Sequence, residues 1–170
     1  MSENPTEGVR KLSHEVTMEC EGRTVGRTRN ETSVTLLGAG GTTFEIATDE
    51  GSFPHGGDAS APSPLALFSA SLVTCLLVQV KQFARRMRID IRDVHARARL
   101  QWIAETEGRA PYVSRPVGFS IDLDVDSDAP TDEIVALIAA AKQGCFVEQT
   151  LARPNIIAHR LKVGDGWIDV

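Results

Sequence analysis

The residues in this sequence best able to do chemistry are three cysteines, Cys20, Cys75 and Cys145, and the arginines Arg23, Arg27 and Arg29. A thiol becomes a useful nucleophile when a helix N-terminus, a nearby cation or a base lowers its pKa. Cys145 follows Gly144 at a break in a helical pattern, so a short helix opening there would favour its thiolate, with Glu148 one turn on opposing it. Cys75 lies about three turns inside a long apolar segment, where the helix dipole offers little and an arginine from elsewhere has to help. Each cysteine also has a plain reading, because free cysteine is among the most buried residue types and packs as a small hydrophobe. Taken singly, each fits that reading better, and Cys20, on an alternating strand, reads as structural. The cysteines form no CxxC pair, and no His/Cys spacing resembles a zinc site. His55 lies in a Gly/Pro-rich loop ahead of the apolar segment, while His14, His95 and His159 fall on strand candidates without a triad partner.

The element that must position Cys75 runs from Pro62 to Ile89. Ser63 is a helix cap, and Pro64 suits the first helical position, where no N–H is needed. With no Gly or Pro until well past Arg88, the helix can reach about 25 residues, or ~37 Å. Its first part, with Leu65, Leu67, Phe68, Leu72, Val73, Leu76, Leu77 and Val78, is apolar nearly all the way round. A polar face opens only near Gln79, Lys81 and Gln82, and Arg85, Arg86 and Arg88 then complement the C-terminal dipole. Such a helix is expected to be buried on all sides. The uncharged run from Ala59 to Val80 has the length of a membrane span. Its serines, Thr74, Gln79 and two prolines instead mark the core helix of a soluble protein.

Around that helix the patterns alternate. His14–Cys20, Thr24–Arg29, Thr32–Leu37 and Thr43–Thr48 read as strands of an antiparallel meander, followed by the 49–61 loop. Ile91–Trp102 and Val117–Val125 are strands joined by a polar hairpin connection. Thr131 caps a second helix with Ile134, Val135, Leu137 and Ile138 as its buried stripe. Gly144 ends it, Cys145–Leu151 forms a short helix, and Ile156–Val163 and Trp167–Val170 close as a hairpin. Strands and helices come in runs, which predicts an α+β fold. Residues 1–13 read as a flexible arm and 14–170 as one domain.

A chain of 170 residues with 42% apolar and 24% charged residues is globular and large enough for one substantial core. A net charge of −5 argues against a nucleic-acid or anionic-membrane surface. No Gly-rich stretch has a phosphate-binding spacing, which leaves nucleotide binding without support. The polar N-terminus lacks the apolar core of a signal peptide, so a cytoplasmic protein with reduced thiols is expected.

The segment GGDASAPSPLALFSASLVTC, with Asp49-Glu50 shortly before it, resembles the signature of the OsmC/Ohr family, the osmotically inducible protein C and organic hydroperoxide resistance proteins. In that signature a Gly-rich loop leads to a Pro-x-Pro helix start and a cysteine eleven residues after the second proline, here Pro64 and Cys75. AKQGCFVEQTL is similar to the family's second cysteine motif and makes Cys145 the counterpart. Pro154 and the His159-Arg160-Leu161 stretch also fit, and the order of elements matches over roughly residues 14–170. The resemblance implies an intertwined homodimer, in which antiparallel sheets wrap paired central helices and the sites lie at the subunit interface. It implies a cysteine-based peroxidase acting on organic hydroperoxides, with Cys75 peroxidatic and Cys145 resolving. A dihydrolipoyl or thioredoxin-like dithiol serves as reductant, and no metal or organic cofactor is used. The thiolate-stabilising arginine of such proteins is best matched by Arg23, with Arg27 and Arg29 as alternatives. The sequence departs from the family at two points. The acid nine or ten residues before the first cysteine is replaced by Ala66 and Leu65, and Phe146 stands where a proline usually follows the second cysteine. Those departures keep two other readings open: a catalytically weak relative binding a small apolar or acyl ligand, and a redox sensor without turnover.

Overall fold

The computed structural model describes residues 12–38, 40–52 and 56–170, and the elements follow the α+β order expected. By internal contacts the chain divides into two units, Met1–Pro64 and Leu65–Val170.

The first unit is a three-stranded antiparallel meander, β1 (Thr17–Thr24), β2 (Asn30–Leu37) and β3 (Thr43–Thr48), in the order β1-β2-β3. Its register pairs Cys20 with Val34 and Val34 with Phe44. The sequence pattern misplaces the first turn. Thr24–Arg29 is not a strand: β1 starts at Thr17, runs to Thr24, and the chain reverses through residues 25–29, closed by the Val25 N–H donating to Arg29 O at 3.0 Å. The register that results pairs Arg23 with Glu31 and Thr24 with Asn30.

The loop leading towards the long helix is tied to this sheet by Asp49, only 3% exposed. Its carboxylate accepts hydrogen bonds from Thr28 Oγ1 (2.6 Å), Ser60 Oγ (2.8 Å), the Ser60 N–H (3.0 Å) and the Glu50 N–H (2.9 Å). The Thr28 hydroxyl first, then Ser60, holds the Asp49 carboxyl far below the ordinary carboxylate range. Gly57 packs tightly in the same loop, where a Cβ would collide with Glu50 O and Thr28 Oγ1.

The second unit is built on α1 (Pro64–Met87), 24 residues long. It ends with Arg88 in the left-handed region (φ 59°) and the Ile89 N–H donating back to Ala84 O at 2.9 Å, a Schellman-type stop made without glycine. β4 (Asp93–Glu105) and β5 (Val113–Asp126) form a long antiparallel ribbon, and the polar connection shrinks to residues 106–112. The inward set Val94, Ala96, Ala98, Leu100 and Trp102 alternates as the sequence requires. A register shift between Gln101 and Trp102 accommodates Pro116 and Val117. Trp102 and Phe119 meet with centroids 5.0 Å apart and rings tilted by 59°, and Phe68 meets both edge-on. α2 (Thr131–Gly144) and α3 (Phe146–Leu151) follow, then the hairpin β6 (Arg160–Val163) and β7 (Gly166–Asp169). Thr131 is the first helical residue of α2; Pro130 holds the cap position, and no side chain caps it.

The core joins Leu76, Val80, Ala84 and Ile89 to Leu137, Ala141 and Cys145, with Ile121 and Leu123 of the ribbon packed against them. α1 is long and apolar enough to cross a membrane, yet Leu72, Leu76, Val80 and Ala84 are buried in this unit. Burial on all sides is not what one chain provides. A single stripe at four-residue spacing is covered, while Leu65 (52%) and Val78 (51%) are exposed.

Because the Asp49 pKa is depressed in the native state, its contribution to stability is present above the unfolded value, about pH 4, and fades as pH falls through the native one. Asp49→Asn should therefore lower Tm at pH 7, and the gap to the parent protein should narrow below pH ~4. Thermal melts followed by circular dichroism between pH 7 and pH 2 test this, and a pH-independent gap would refute it.

Candidate active site

Cys75 lies on α1 between Leu72 and Leu76 of the buried stripe and is itself partly buried against the core. Cys145 comes from the α2–α3 junction. Its backbone leaves the helical region (φ −75°, ψ 109°), which stops α2 and starts α3 in one residue. As the cap of α3, Cys145 accepts the Glu148 N–H on Sγ at 3.5 Å and the Gln149 N–H on its carbonyl at 2.9 Å. Sulfur is a weak acceptor. The side chain is fully buried.

Two features bring Cys145 to Cys75. Leu137 and Ala141 of α2 lie fully buried against α1, and Gly144 then lets the helices close. A Cβ on Gly144 would come within 2.5 Å of Phe83 Cζ and 2.7 Å of Cε2, so the Phe83 ring occupies the space that glycine leaves. The two cysteines, seventy positions apart in sequence, end as neighbours with free thiols. Burial pushes the Cys145 thiol up from its ordinary value; the Glu148 N–H pulls the other way, and Cys75 adds to the rise by a hydrogen bond and by its charge. Cys145 is therefore held as the neutral thiol near pH 7.

The remaining sequence candidates fall elsewhere. Cys20 is exposed on β1. Arg23, 77% exposed, donates to Glu31 Oε2 at 3.1 Å. Arg29 donates to Ser60 Oγ at 2.7 Å and lies 3.9 Å from Glu31, and the Arg27 guanidinium packs against Gly56. His55 lies outside the described residues. His95 pairs with Asp93 at 3.0 Å on the surface. Leu65 and Ala66 open α1 with no carboxylate.

Glu148, one turn after Cys145, pairs with neither of the basic residues nearest it in sequence, Lys142 and Arg153. Arg153 donates to Gln149 Oε1 at 3.1 Å, Lys142 forms no ion pair among the described residues, and Glu148 Oε2 is buried without a hydrogen-bond partner. No group of three or more His, Cys, Asp or Glu residues among the described residues is placed to hold a metal.

A long core helix carrying one thiol, a second thiol at a helix break beside it, and antiparallel strands in separate sheets define a two-thiol α+β protein. The family model described as OsmC-like protein matches residues 56–160, and the chain belongs to that family. An OsmC-like hydroperoxide resistance protein from Jannaschia sp. CCS1 is 42% identical, with a TM-score of 0.63 over 91% of this chain and 98% of that one. An organic hydroperoxide resistance protein OsmC from Legionella pneumophila is 16% identical (TM-score 0.54, 83% and 91% covered). An OsmC-like protein from Mycoplasma pneumoniae is 17% identical (TM-score 0.53, 83% and 89% covered). The last two share the fold. No curated protein matches the chain.

Gly144→Ala should drive α2 away from Phe83, lowering stability by about 1–3 kcal/mol and slowing the formation of a Cys75–Cys145 disulfide under diamide. Phe83→Leu in the same chain should restore both. Mass spectrometry of the oxidised protein reads the outcome, and an unchanged disulfide rate in Gly144→Ala would show that this contact does not set the cysteine geometry.

Proposed function

We propose that the protein is a thiol-dependent peroxidase that reduces organic hydroperoxides, with Cys75 as the peroxidatic and Cys145 as the resolving cysteine. The observation that carries this reading is the convergence of the two thiols at the junction of α2 and α3. Family membership and the hydroperoxide resistance named for the Jannaschia protein support it.

In the reaction the Cys75 thiolate attacks the outer peroxide oxygen. An S–O bond forms, the O–O bond breaks, and the departing alkoxide takes a proton to become the alcohol. The Cys145 sulfur then attacks the sulfur of the Cys75 sulfenic acid as its proton passes to the departing hydroxyl, so that a disulfide forms and water leaves. A dihydrolipoyl or thioredoxin-like dithiol reduces the disulfide and is itself oxidised. The scheme uses no metal or organic cofactor. Arg23 stays the arginine that the resemblance assigns to the thiolate. Its guanidinium is held by Glu31, a carboxylate of the kind that Leu65 and Ala66 do not supply.

Stopped-flow mixing of reduced protein with cumene hydroperoxide tests the assignment. Rapid consumption should vanish in Cys75→Ser, and the wild type should end as a Cys75–Cys145 disulfide by mass spectrometry. Arg23→Ala should slow the first step by ~10²-fold, with Arg27→Ala and Arg29→Ala as controls. Equal, slow consumption by wild type and Cys75→Ser would end the peroxidase reading and leave the binding of a small apolar or acyl ligand.

The same reading includes a homodimer. The uncovered side of α1, with Leu65 and Val78 about half exposed, is a surface that a second copy would bury. Sedimentation equilibrium should give twice the 18.4 kDa of the chain, and Val78→Glu should shift it to the monomer. A wild-type monomer at micromolar concentration would reject the dimer.

A further inference from the structure

Beside the cysteine pair, Leu72, Leu76, Phe119, Ile121 and Leu123 wall a cleft of about 490 Å³, within the range of small-ligand sites. Glu148 and Lys142 are the polar side chains lining it. Leu76 of its wall belongs to the core cluster that holds Cys145 and against which Cys75 packs, and Glu148 belongs to the helix that Cys145 caps.

Glu148 Oε2 is the one buried side-chain polar atom without a hydrogen-bond partner among the described residues. A carboxylate oxygen withdrawn from water and left unpaired is costly, and such groups in native proteins normally find a donor. Arg153 is engaged by Gln149, and Lys142 is exposed and makes no ion pair with Glu148. Apart from Glu148 and Lys142 the cleft is lined by apolar side chains, so a fitting ligand carries an apolar body and a hydrogen-bond donor at its head.

We propose that Glu148 accepts a hydrogen bond from the O–H of a ligand whose apolar body fills this cleft. It thereby acts as the binding residue that seats an alkyl or aryl hydroperoxide, or its alcohol product, next to the cysteine pair. The identity of the ligand rests on the peroxidase reading above; the site itself rests on the cleft and the isolated oxygen.

The test uses unreactive probes and the full-length Cys75→Ser protein, in which no turnover can occur. Cumyl alcohol presents the donor, cumene has the same body without it, and cumylamine replaces the hydroxyl with a cation; each is titrated by NMR. Cumyl alcohol should bind at least ~10-fold more tightly than cumene, the lower end expected of a hydrogen bond to a charged group. Glu148→Leu should abolish that preference while leaving cumene binding within about threefold, and Glu148→Gln, which keeps a carbonyl acceptor, should retain most of it. A purely structural role for Glu148 would weaken both probes together. Equal binding of alcohol and cumene in the Cys75→Ser protein, a readout that needs no Glu148 variant to fold, would overturn the proposal, as would preferential binding of cumylamine. In the Cys75-containing enzyme, Glu148→Leu should raise KM for cumene hydroperoxide by ~10-fold with a smaller change in kcat. The two proposals can fail separately. Hydroperoxide turnover without alcohol preference would remove the Glu148 role alone, and Glu148-dependent alcohol binding without turnover would remove the peroxidase reading alone.

Discussion

The contact between α1 and α2 is the constraint on which the candidate site depends. Leu72, Leu76, Val80 and Ala84 recur every four residues and form one stripe along α1, and Leu137 and Ala141 answer from α2. Burying a leucine such as Leu76 or Leu137 is worth roughly 1.5–3 kcal/mol, so the helix pair is fixed by apolar packing rather than by any polar contact at the thiols. Ala84 and Ala141 belong to the same buried cluster, and the missing Cβ of Gly144 is the space taken by Phe83. The position of Cys145 follows from the end of that contact. The sulfur pair is a by-product of helix packing, placed by groups that have no part in the chemistry.

The same packing gives the two thiols different surroundings. Cys145 is fully buried, and desolvation outweighs the N–H groups at the start of α3, so its thiol stays protonated near neutrality. A sulfur contact at 3.5 Å is weak. A full positive charge about 4 Å from a thiolate contributes on the order of 4 kcal/mol at a protein surface, several times a hydrogen bond of this kind. Cys75, only partly buried, is the thiol that a charge from outside the core can reach.

Much of this was legible in the sequence, for identifiable reasons. The span of α1 is written in Pro64, in the absence of breakers and in the arginines at its end, and Thr43–Thr48 and the helix break at Gly144-Cys145 are equally plain. The first turn was not. Thr24-Val25 looks like a strand by propensity, but the register that pairs Arg23 with Glu31 places Val25–Arg29 in the reversal. Thr131 carries the residue type of a cap yet enters the helix, because Pro130 with its extended ψ of 145° already holds the cap position. At the site, the two cysteine contexts stood out through their spacing to Pro64 and Gly144, whereas the isolation of Glu148 could not be read. Its neighbours in sequence include Lys142 and Arg153, plausible partners by spacing, and only the side-chain arrangement shows Arg153 turned to Gln149.

The largest departure from the sequence reading carries the most physical content. A helix that is apolar around most of its circumference is expected to be covered around most of it, and α1 in one chain is covered along a single stripe. Leucine and valine side chains left half in water forfeit part of the stabilisation that burial would give, roughly 25 cal/mol for each Å². A sequence that keeps Leu65 and Val78 apolar on the uncovered side, while placing Gln79, Lys81, Gln82, Arg85 and Arg86 further along, is patterned for cover over the N-terminal turns and for solvent near the C-terminal ones. Cys75 lies in the apolar part, eleven residues after Pro64. Whatever covers those turns also sets the dielectric around that sulfur, and with it how strongly any nearby cation acts on the thiolate.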